Sequence, residues 1–314
     1  MRGIARGLGT GWLAALLSAG CSAPAPSPPR YPTLPGKQPT QAVPNDDPAR
    51  LGGRLYDDFA RELKLDFAPD DPKTPAPDGR GGPLGNGTLP DAEGKPMLNT
   101  GHDYRLKQLL GTDLHGAAGI LGQEFKATGT VLLPDLLKDT DSRELWRARL
   151  TKGEDAIPAY GSVLSAAQIE ALLDFLLGVR DGALARPDAL FTLDPQAPGF
   201  YRLAAGGDAA RGAELYQRTC KKCHGAKGTS FSFGADKHSI GSFLRARADQ
   251  AWLDVLVGVP GTAMGPQLSP SLPAAEQAQA LLDLFAATCD RAQFPKGQAE
   301  DVPDGDARCG AYLK

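Results

Sequence analysis

Residues 210–225 of this 314-residue chain read ARGAELYQRTCKKCHG. The last six letters place two thiols three residues apart, within one helical turn, and an imidazole directly after the second thiol. Thiols at this spacing reach the two vinyl groups of a haem, and the adjacent histidine presents its ring to the iron. The pattern therefore predicts covalent attachment of haem c through Cys220 and Cys223, with His224 as an axial ligand of the iron.

The same letters have other uses in proteins: a redox-active dithiol of the thioredoxin kind, one half of a zinc site, or no use at all. The chain contains only five cysteines and four histidines, which makes a chance occurrence of the pattern rare. Zinc sites need a further pair of ligands, and no second Cys or His pair stands at the required spacing. Haem attachment is therefore the favoured interpretation.

The segments on either side of the motif resemble class I c-type cytochromes. Residues 210–216 are similar to the amino-terminal helix of that fold, which leads into the attachment site. Residues 274–287 have the apolar spacing of its closing amphipathic helix. The resemblance implies an all-α cytochrome c fold, one covalently bound haem c, and transfer of single electrons.

The resemblance also implies a second axial ligand. In this family a methionine near a proline, well beyond the histidine, binds the iron, and Met264 in PGTAMGP (260–266) lies 40 residues beyond His224. A methionine that merely fills the core is the alternative, and His238, in a polar run typical of the surface, is a rival ligand. Ligation by histidine and methionine raises the reduction potential of a haem and leaves no open position on the iron, which favours electron transfer over peroxide chemistry.

Two further cysteines, Cys289 and Cys309, stand 20 residues apart near the end of the chain. In an oxidising compartment two spare thiols predict a disulfide, which here would hold the carboxyl-terminal tail. The alternative is that one of them supplies a thiolate ligand to the haem.

Residues 49–180 repeat the plan of the haem-binding region. The letters GRLY at 53–56 correspond to AELY at 213–216, and ALLD at 171–174 recurs at 280–283. This internal similarity predicts two cytochrome c-like domains in tandem.

The first of these domains lacks the residues that would hold a haem. Two-domain cytochromes of this type commonly read Trp-Arg-Cys-x-x-Cys-His-Gly-Trp-Asp in the first domain, whereas residues 104–113 here read YRLKQLLGTD. Leu106, Leu109 and Leu110 stand where the family has its thiols and imidazole. Ile157, before Pro-Ala-Tyr-Gly, stands where it has the distal methionine. The resemblance therefore implies a degenerate, haem-free domain.

A second alignment pairs His115-Gly116 with the His-Gly of the motif. It keeps one candidate ligand, but it supplies no thiol and loses the matches at Arg105 and Asp113. Four aliphatic side chains do not fill the volume of a porphyrin, and an empty cavity of that size would be costly. We therefore expect the first domain to have collapsed inward or to hold another ligand.

The amino terminus predicts export. Two arginines and a short apolar stretch at 11–17 precede Cys21, in a pattern similar to the bacterial lipobox, whose cysteine is acylated. We expect a signal peptide at residues 1–20, a lipid anchor at Cys21 and a location on the periplasmic side; Ser22 favours the outer membrane. Because Ser18 stands where the lipobox usually has leucine, a plain signal peptide is the alternative.

Two segments are too rich in proline or glycine to form a core. Residues 22–48 contain nine prolines, which predicts an extended spacer after the anchor. Residues 69–101 contain seven prolines and seven glycines, which predicts a long loop. The aspartates in and before this loop (Asp66, Asp70, Asp71 and Asp78) are interpreted as a solvated surface, with a calcium site as the alternative.

Charge restricts the partners. A net charge of −3 argues against binding to nucleic acid, and no apolar run reaches the ~18 residues that a membrane span needs. Between residues 218 and 247, however, seven basic residues accompany one acid: Arg218, Lys221, Lys222, Lys227, Lys237, Arg245 and Arg247. They form either an ordinary solvated surface or a docking patch that steers an acidic redox partner to the haem edge.

The sequence thus predicts the following organisation: a signal peptide (1–20), a lipidated Pro-rich linker (21–48), a degenerate cytochrome c-like domain (49–180), a connector (181–207), a haem domain (208–290) and a tail (291–314). The predicted function is that of a monohaem cytochrome that transfers electrons between periplasmic or membrane redox partners, with no catalytic site of its own. The alternatives are a haem subunit of a multi-subunit oxidoreductase, or an assembly or docking protein that acts through the haem-free domain.

Overall fold

The computed structural model describes residues 47–65, 93, 105–126, 132–154 and 157–314. The predicted signal peptide, Cys21, all but the last two residues of the predicted linker, and the loop at 69–101 apart from residue 93 lie outside these residues. The four aspartates for which a calcium site was considered lie outside them as well.

The described residues are mainly helical. The first half contains α1 (Pro48–Glu62), α2 (Lys107–Leu110), α3 (Ile120–Glu124), α4 (Arg143–Lys152) and α5 (Ala166–Arg180). The second half contains β1 (Phe191–Leu193), β2 (Tyr201–Leu203), α6 (Ala209–Thr219), α7 (Lys221–His224), α8 (Ile240–Val257) and α9 (Ala274–Thr288). Short 3-10 helices connect them at Gly116–Ala118, Leu136–Lys138, Tyr160–Ser162, Pro187–Ala189, Pro198–Phe200 and Gly310–Tyr312. None of the helices in the described ranges is both long and apolar enough to cross a membrane.

Local side-chain caps fix where the long helices begin. The Asp47 carboxylate accepts a hydrogen bond from the Ala49 amide, with Pro48 in the first turn, so α1 already includes the last residue of the predicted linker. A capping box opens α5: the Ser165 hydroxyl accepts from the Gln168 amide, and the Gln168 side chain accepts from the Ser165 amide. Asp208 caps α6 by accepting from two amides of its first turn.

The connector is more ordered than the sequence indicated. Its β1 and β2 pair as an antiparallel hairpin in which Phe191 lies opposite Leu203. The ring of Phe191 meets the ring of Tyr201 edge to face and stacks on Phe285 of α9, at centroid distances of 5.2 and 6.1 Å. An all-α prediction therefore missed one small sheet, which packs on the closing helix.

Each half is built on a crossing of two long helices at a glycine. In the first half α1 crosses α5, and a Cβ on Gly52 would collide with the carbonyl of Ala171. In the second half α6 crosses α9, and a Cβ on Gly212 would collide with the carbonyl of Asp283. In both places the absence of a side chain lets the two backbones touch.

The two four-residue helices, α2 and α7, share their local structure. Each ends at a glycine with a φ of +78°. The carbonyl of that glycine accepts a hydrogen bond from a tyrosine hydroxyl of the preceding long helix, Tyr56 for Gly111 and Tyr216 for Gly225. Counted back from the glycine, the positions of Cys220, Cys223 and His224 are taken in the first half by Leu106, Leu109 and Leu110.

The two halves share one hydrophobic core. Trp252 of α8 is fully buried, and its indole Nε1 donates to the carbonyl of Thr112 in the first half at 2.9 Å. The Thr112 hydroxyl in turn lies 3.3 Å from the carboxylate of Asp249, which is also buried. Desolvation raises the pKa of Asp249. The contact between the halves is thus a packed interior with polar groups placed inside it.

The tail is fastened to the second half in two ways. Cys289 and Cys309 form a disulfide, with their Cα atoms 5.8 Å apart. Arg245 of α8 is buried, and its guanidinium makes a bidentate ion pair with Asp301 at 2.7 Å for each contact. A disulfide of this loop length stabilises a chain by roughly 3 kcal/mol on the chain-entropy model.

Candidate haem-binding site

The two motif cysteines lie at the corner where α6 ends and α7 begins. Cys220 lies between the two helices and caps both: it follows the last residue of α6, with its amide bonded to the Tyr216 carbonyl, and it precedes the first residue of α7. Its thiol is half-buried, which raises its pKa, and lies 3.3 Å from the Thr219 hydroxyl. Cys223 is exposed. Both thiols are free, as attachment to a haem requires.

His224 lies against aromatic side chains. Its ring is 5.9 Å from that of Phe231 and 5.7 Å from that of Phe233, and Phe233 in turn is 5.9 Å from the buried Phe243. Phe231 is one of the few large apolar side chains that stay exposed, at 41%. An exposed aromatic surface beside two free thiols fits an apolar macrocycle.

The imidazole of His224 is not satisfied by its neighbours. Its Nδ1 is buried and has no hydrogen-bond partner among the described residues. A buried polar atom without a partner is uncommon in folded proteins, and a bound metal ion would satisfy such an atom. Burial also lowers the pKa of His224, which keeps the ring neutral. A neutral imidazole is the form that binds a metal. The residues present therefore fit a haem iron.

Met264 belongs to the loop at residues 258–267 that follows α8. Its amide donates to the Thr262 hydroxyl at 3.2 Å, and its carbonyl accepts from the Val259 amide at 2.8 Å. Gly258 ends α8 with a φ of +92°, and a Cβ there would lie 2.7 Å from the Met264 carbonyl. The Met264 side chain is half-buried. The backbone of this candidate ligand is thus held on both sides.

His238, the rival ligand, makes contacts of its own within the fold. It is half-buried rather than on the surface, and its Nδ1 lies 3.1 Å from the Ser242 hydroxyl. Its backbone pairs with Phe233 and Gly297 in isolated β-bridges. The ring therefore has a partner of its own within the fold.

The corresponding positions of the first half are filled by its core. Leu106, Leu109, Leu110 and Ile157 are all buried, with at most 4% of each exposed. Ile157 follows α4 in the same way as Met264 follows α8. The Ile157 carbonyl accepts from the amide of Glu154 at 3.1 Å, and the Met264 carbonyl accepts from the amide of Val259 at 2.8 Å. Both donors come directly after the glycine that ends the helix.

His115, the basis of the alternative alignment, lies outside α2. Its Nδ1 is 2.9 Å from a carboxylate oxygen of Asp135. His115 is therefore held by an acid and follows Gly111 instead of preceding it.

The predicted basic patch is smaller than the sequence suggested. Arg245 is buried in its ion pair with Asp301, and Arg247 lies 3.9 Å from the carboxylate of Asp249, so the charge of each arginine is paired within the fold. The other five remain exposed without an acidic partner within 4 Å among the residues described: Arg218, Lys221, Lys222, Lys227 and Lys237. We call these five residues the basic face.

Comparison with known families identifies the chemistry of the second half. Residues 207–283 match the model of the family described as cytochrome C oxidase, cbb3-type, subunit III. The match supports a c-type cytochrome. Such a domain implies covalently bound haem c and points to electron transfer, and domains of this kind are typically exported. The match covers about a quarter of the chain and leaves the first half, the connector and the tail outside it. No curated protein and no solved structure matches this chain.

Sequence reasoning missed the side chains that surround this domain from the first half. Arg50, Arg54 and Glu62 of α1 contact the end of α8 and the Met264 loop. Arg54 and Val257 are separated by 203 positions in the chain, and no local pattern connects them.

Proposed function

We propose that this protein is an exported, lipid-anchored monohaem cytochrome that carries single electrons between redox partners on the periplasmic side. The observation that supports it best is the motif at the corner of α6 and α7, inside the region that matches a cytochrome c family: two free thiols, then an imidazole whose Nδ1 has no partner among the described residues.

Four residues would hold the haem. Cys220 and Cys223 would attach it covalently, and His224 and Met264 would bind the iron on its two sides. A haem supplies reversible one-electron chemistry, while the protein sets its potential and access to it. With His224 and Met264 as its protein ligands, the iron would have no site left for oxygen or peroxide, so electron transfer is the activity that this ligand set favours.

We further propose that the first half is a duplicated cytochrome domain that has lost its haem. Support comes from the shared local geometry: a glycine at each helix crossing, matching φ angles at Gly111 and Gly225, and tyrosine hydroxyls bonded to both of those glycines. The buried leucines and Ile157 fill positions that thiols, imidazole and methionine occupy in a haem-binding domain.

The anchor and the partner belong to the same proposal. The lipobox-like sequence at Cys21 and the proline-rich spacer support attachment to a membrane, with Ser22 favouring the outer membrane. The basic face includes Lys221 and Lys222 within the attachment motif itself, so it lies beside the haem and suits an acidic redox protein.

Haem stoichiometry of the purified full-length protein tests this function. A pyridine haemochrome assay combined with mass mapping of peptides cut at glutamate, which keeps Cys220 and Cys223 on one peptide, should find one haem per chain on that peptide and an acylated Cys21. The variant with both motif cysteines changed to Ala should carry no covalent haem. A second, non-covalent haem would contradict the monohaem proposal, and a chain without any haem would contradict the function as a whole.

A second candidate is a haem subunit of a multi-subunit oxidoreductase, because the matching family is described as a subunit of an oxidase. That function predicts a stable complex with a catalytic subunit in mild detergent extracts. A cytochrome that shuttles electrons between partners should instead be recovered free of them, since redox contacts are small and transient.

A further inference from the structure

The end of α8 is completed by the first half of the chain. The last four carbonyls of a helix have no partner within it. Here Asp254 and Val255 bond to the amides of Gly258 and Gln267, which belong to the Met264 loop itself. The carbonyls of Leu256 and Val257 instead accept hydrogen bonds from side chains of α1 in the other half, from Arg50 and, at 3.0 Å, from Arg54. Cations at this end of a helix also favour its dipole.

The same helix α1 reaches the Met264 loop directly. One carboxylate oxygen of Glu62 accepts from Arg54 Nε at 2.9 Å, and the other accepts from the Gly261 amide at 3.1 Å. Gly261 has a φ of +65°, and a Cβ there would lie only 2.6 Å from the carbonyl of Arg61. The loop therefore touches the carboxyl end of α1 without a side chain in between.

This ion pair is partly withdrawn from water. The side chains of Arg54 and Glu62 are only 9% and 16% exposed. Charged hydrogen bonds of this kind are stronger than neutral ones and weaken less with salt than exposed pairs do. Glu62 therefore holds Gly261 with a fixed, charged acceptor.

A short path joins Glu62 to the candidate iron ligand. Gly261 is followed by Thr262, whose amide donates to the Val259 carbonyl at 3.2 Å and whose hydroxyl accepts from the Met264 amide at 3.2 Å. Val259 in turn donates to the Met264 carbonyl. A displacement of Gly261 would thus be passed to the Met264 backbone through two hydrogen bonds.

We propose that the first half acts as a clamp on the Met264 loop, with Arg54 and Glu62 as positioning residues that hold Met264 for the iron. The inference rests on the proposed function, in which Met264 is the axial ligand. Groups beyond the direct ligands orient a metal's ligands and tune its potential. The family match begins at residue 207, so α1 lies outside it, and the clamp gives the haem-free half a task in the chemistry of the other.

The variant Glu62→Gln in the full-length holoprotein tests the clamp. An amide removes the charge and one of the two acceptor oxygens, so the bond to Arg54 or to Gly261 is lost. We expect exogenous imidazole to displace Met264 from the ferric haem with about a tenfold lower Kd, since a charged hydrogen bond is lost. The charge-transfer band of the methionine–iron bond should weaken, and the reduction potential should fall.

Two further variants make the test specific. Glu170→Gln removes another ion-paired carboxylate of the first half, one that joins α4 to α5 and does not contact the loop, and it should leave both imidazole affinity and potential unchanged. Glu62→Asp keeps the charge, so its imidazole Kd and its reduction potential should lie between those of the wild type and of Glu62→Gln. It also serves as the test variant if Glu62→Gln does not fold.

Met264→Leu separates failure of the clamp from failure of the proposed ligation. If Met264→Leu abolishes the charge-transfer band while Glu62→Gln binds imidazole like the wild type, the clamp is overturned and the ligand assignment stands. If Met264→Leu leaves the band intact, Met264 is not the ligand, and both proposals fall. A lower stability of Glu62→Gln without a change in imidazole affinity or potential would also overturn the clamp, because it would show a merely structural contact.

Discussion

Gly212 shows how a single residue determines the architecture of the second half. It lies where α6 crosses α9, and any side chain would enter the backbone of Asp283. This crossing matters for the site because α6 leads directly to Cys220, the first cysteine of the motif. A shift of α6 therefore moves the site as well.

We predict that Gly212→Ala destabilises the holoprotein by about 2 kcal/mol, because overpacking at the crossing outweighs the better helix propensity of alanine. The free energy of unfolding in urea measures it. Gly265→Ala is the matched control, since no atom lies within 4 Å of its added Cβ. It should change stability by less than about 0.5 kcal/mol. Equal effects of the two variants would contradict the close helix crossing.

Sequence predicted those residues whose role is local. The thiols and imidazole of the motif lie within five consecutive residues at the start and end of α7, and the helices predicted at 210–216 and 274–287 lie within α6 and α9. The contacts that join the two halves could not be predicted from local sequence patterns. Glu62 and Gly261 are 199 positions apart, and a carboxylate on a helix predicts only a solvated surface until its partner is known.

At the scale of elements, ion pairs join neighbouring helices of the first half. Glu170 of α5 accepts from Arg143 at 2.8 Å and also from Arg147, both on α4. These two arginines lower the pKa of Glu170 to about 2. The hydrophobic contact of the same helices includes the buried Trp146 and Leu150, so the ion pairs cover an apolar interface.

We predict that Glu170→Gln is less stable than the wild type at neutral pH and that the difference disappears on acidification. The pKa of the folded state lies below the unfolded value of about 4.3, so the stabilisation is complete above pH ~4.3 and is lost as the pH falls to about 2. Because Glu170 is 38% exposed, the loss at neutral pH should not exceed about 1 kcal/mol.

Urea midpoints of both proteins between pH 2 and 7 check this prediction. Glu214→Gln is the control: Glu214 is exposed on α6 and has no ion-pair partner among the residues described. The urea midpoint of Glu214→Gln should match that of the wild type at every pH. A difference between Glu170→Gln and the wild type that stays constant down to the lowest pH would show that the effect does not arise from the carboxylate charge.

The core of the described residues supports both the candidate site and the basic face. Core residues of both halves form a single cluster, so the first half is part of the body that presents the corner of α6 and α7. The chain as a whole is acidic, with a net charge of −3, whereas the basic face lies around the attachment motif. The surface field near the proposed haem therefore has the opposite sign to the net charge.

Because the basic face and the net charge have opposite signs, the direction in which the oxidation rate changes with salt shows which of them governs the encounter. A small anionic oxidant such as ferricyanide is repelled by the net charge, so its rate with the reduced haem would rise with ionic strength if net charge governed the encounter. If the basic face governs it, the rate falls with ionic strength, since attraction between exposed charges is screened beyond a Debye length of ~10 Å at 0.1 M salt.

We predict the second outcome, measured by stopped-flow oxidation over a range of salt concentrations. The double variant Lys227→Gln, Lys237→Gln removes two charges of the basic face outside the attachment motif and should slow the reaction roughly threefold at low salt. The double variant Lys138→Gln, Lys152→Gln removes the same charge from exposed positions of the first half and should have less effect. A rate that rises with salt in the wild type would show that the basic face does not steer an acidic partner to the haem.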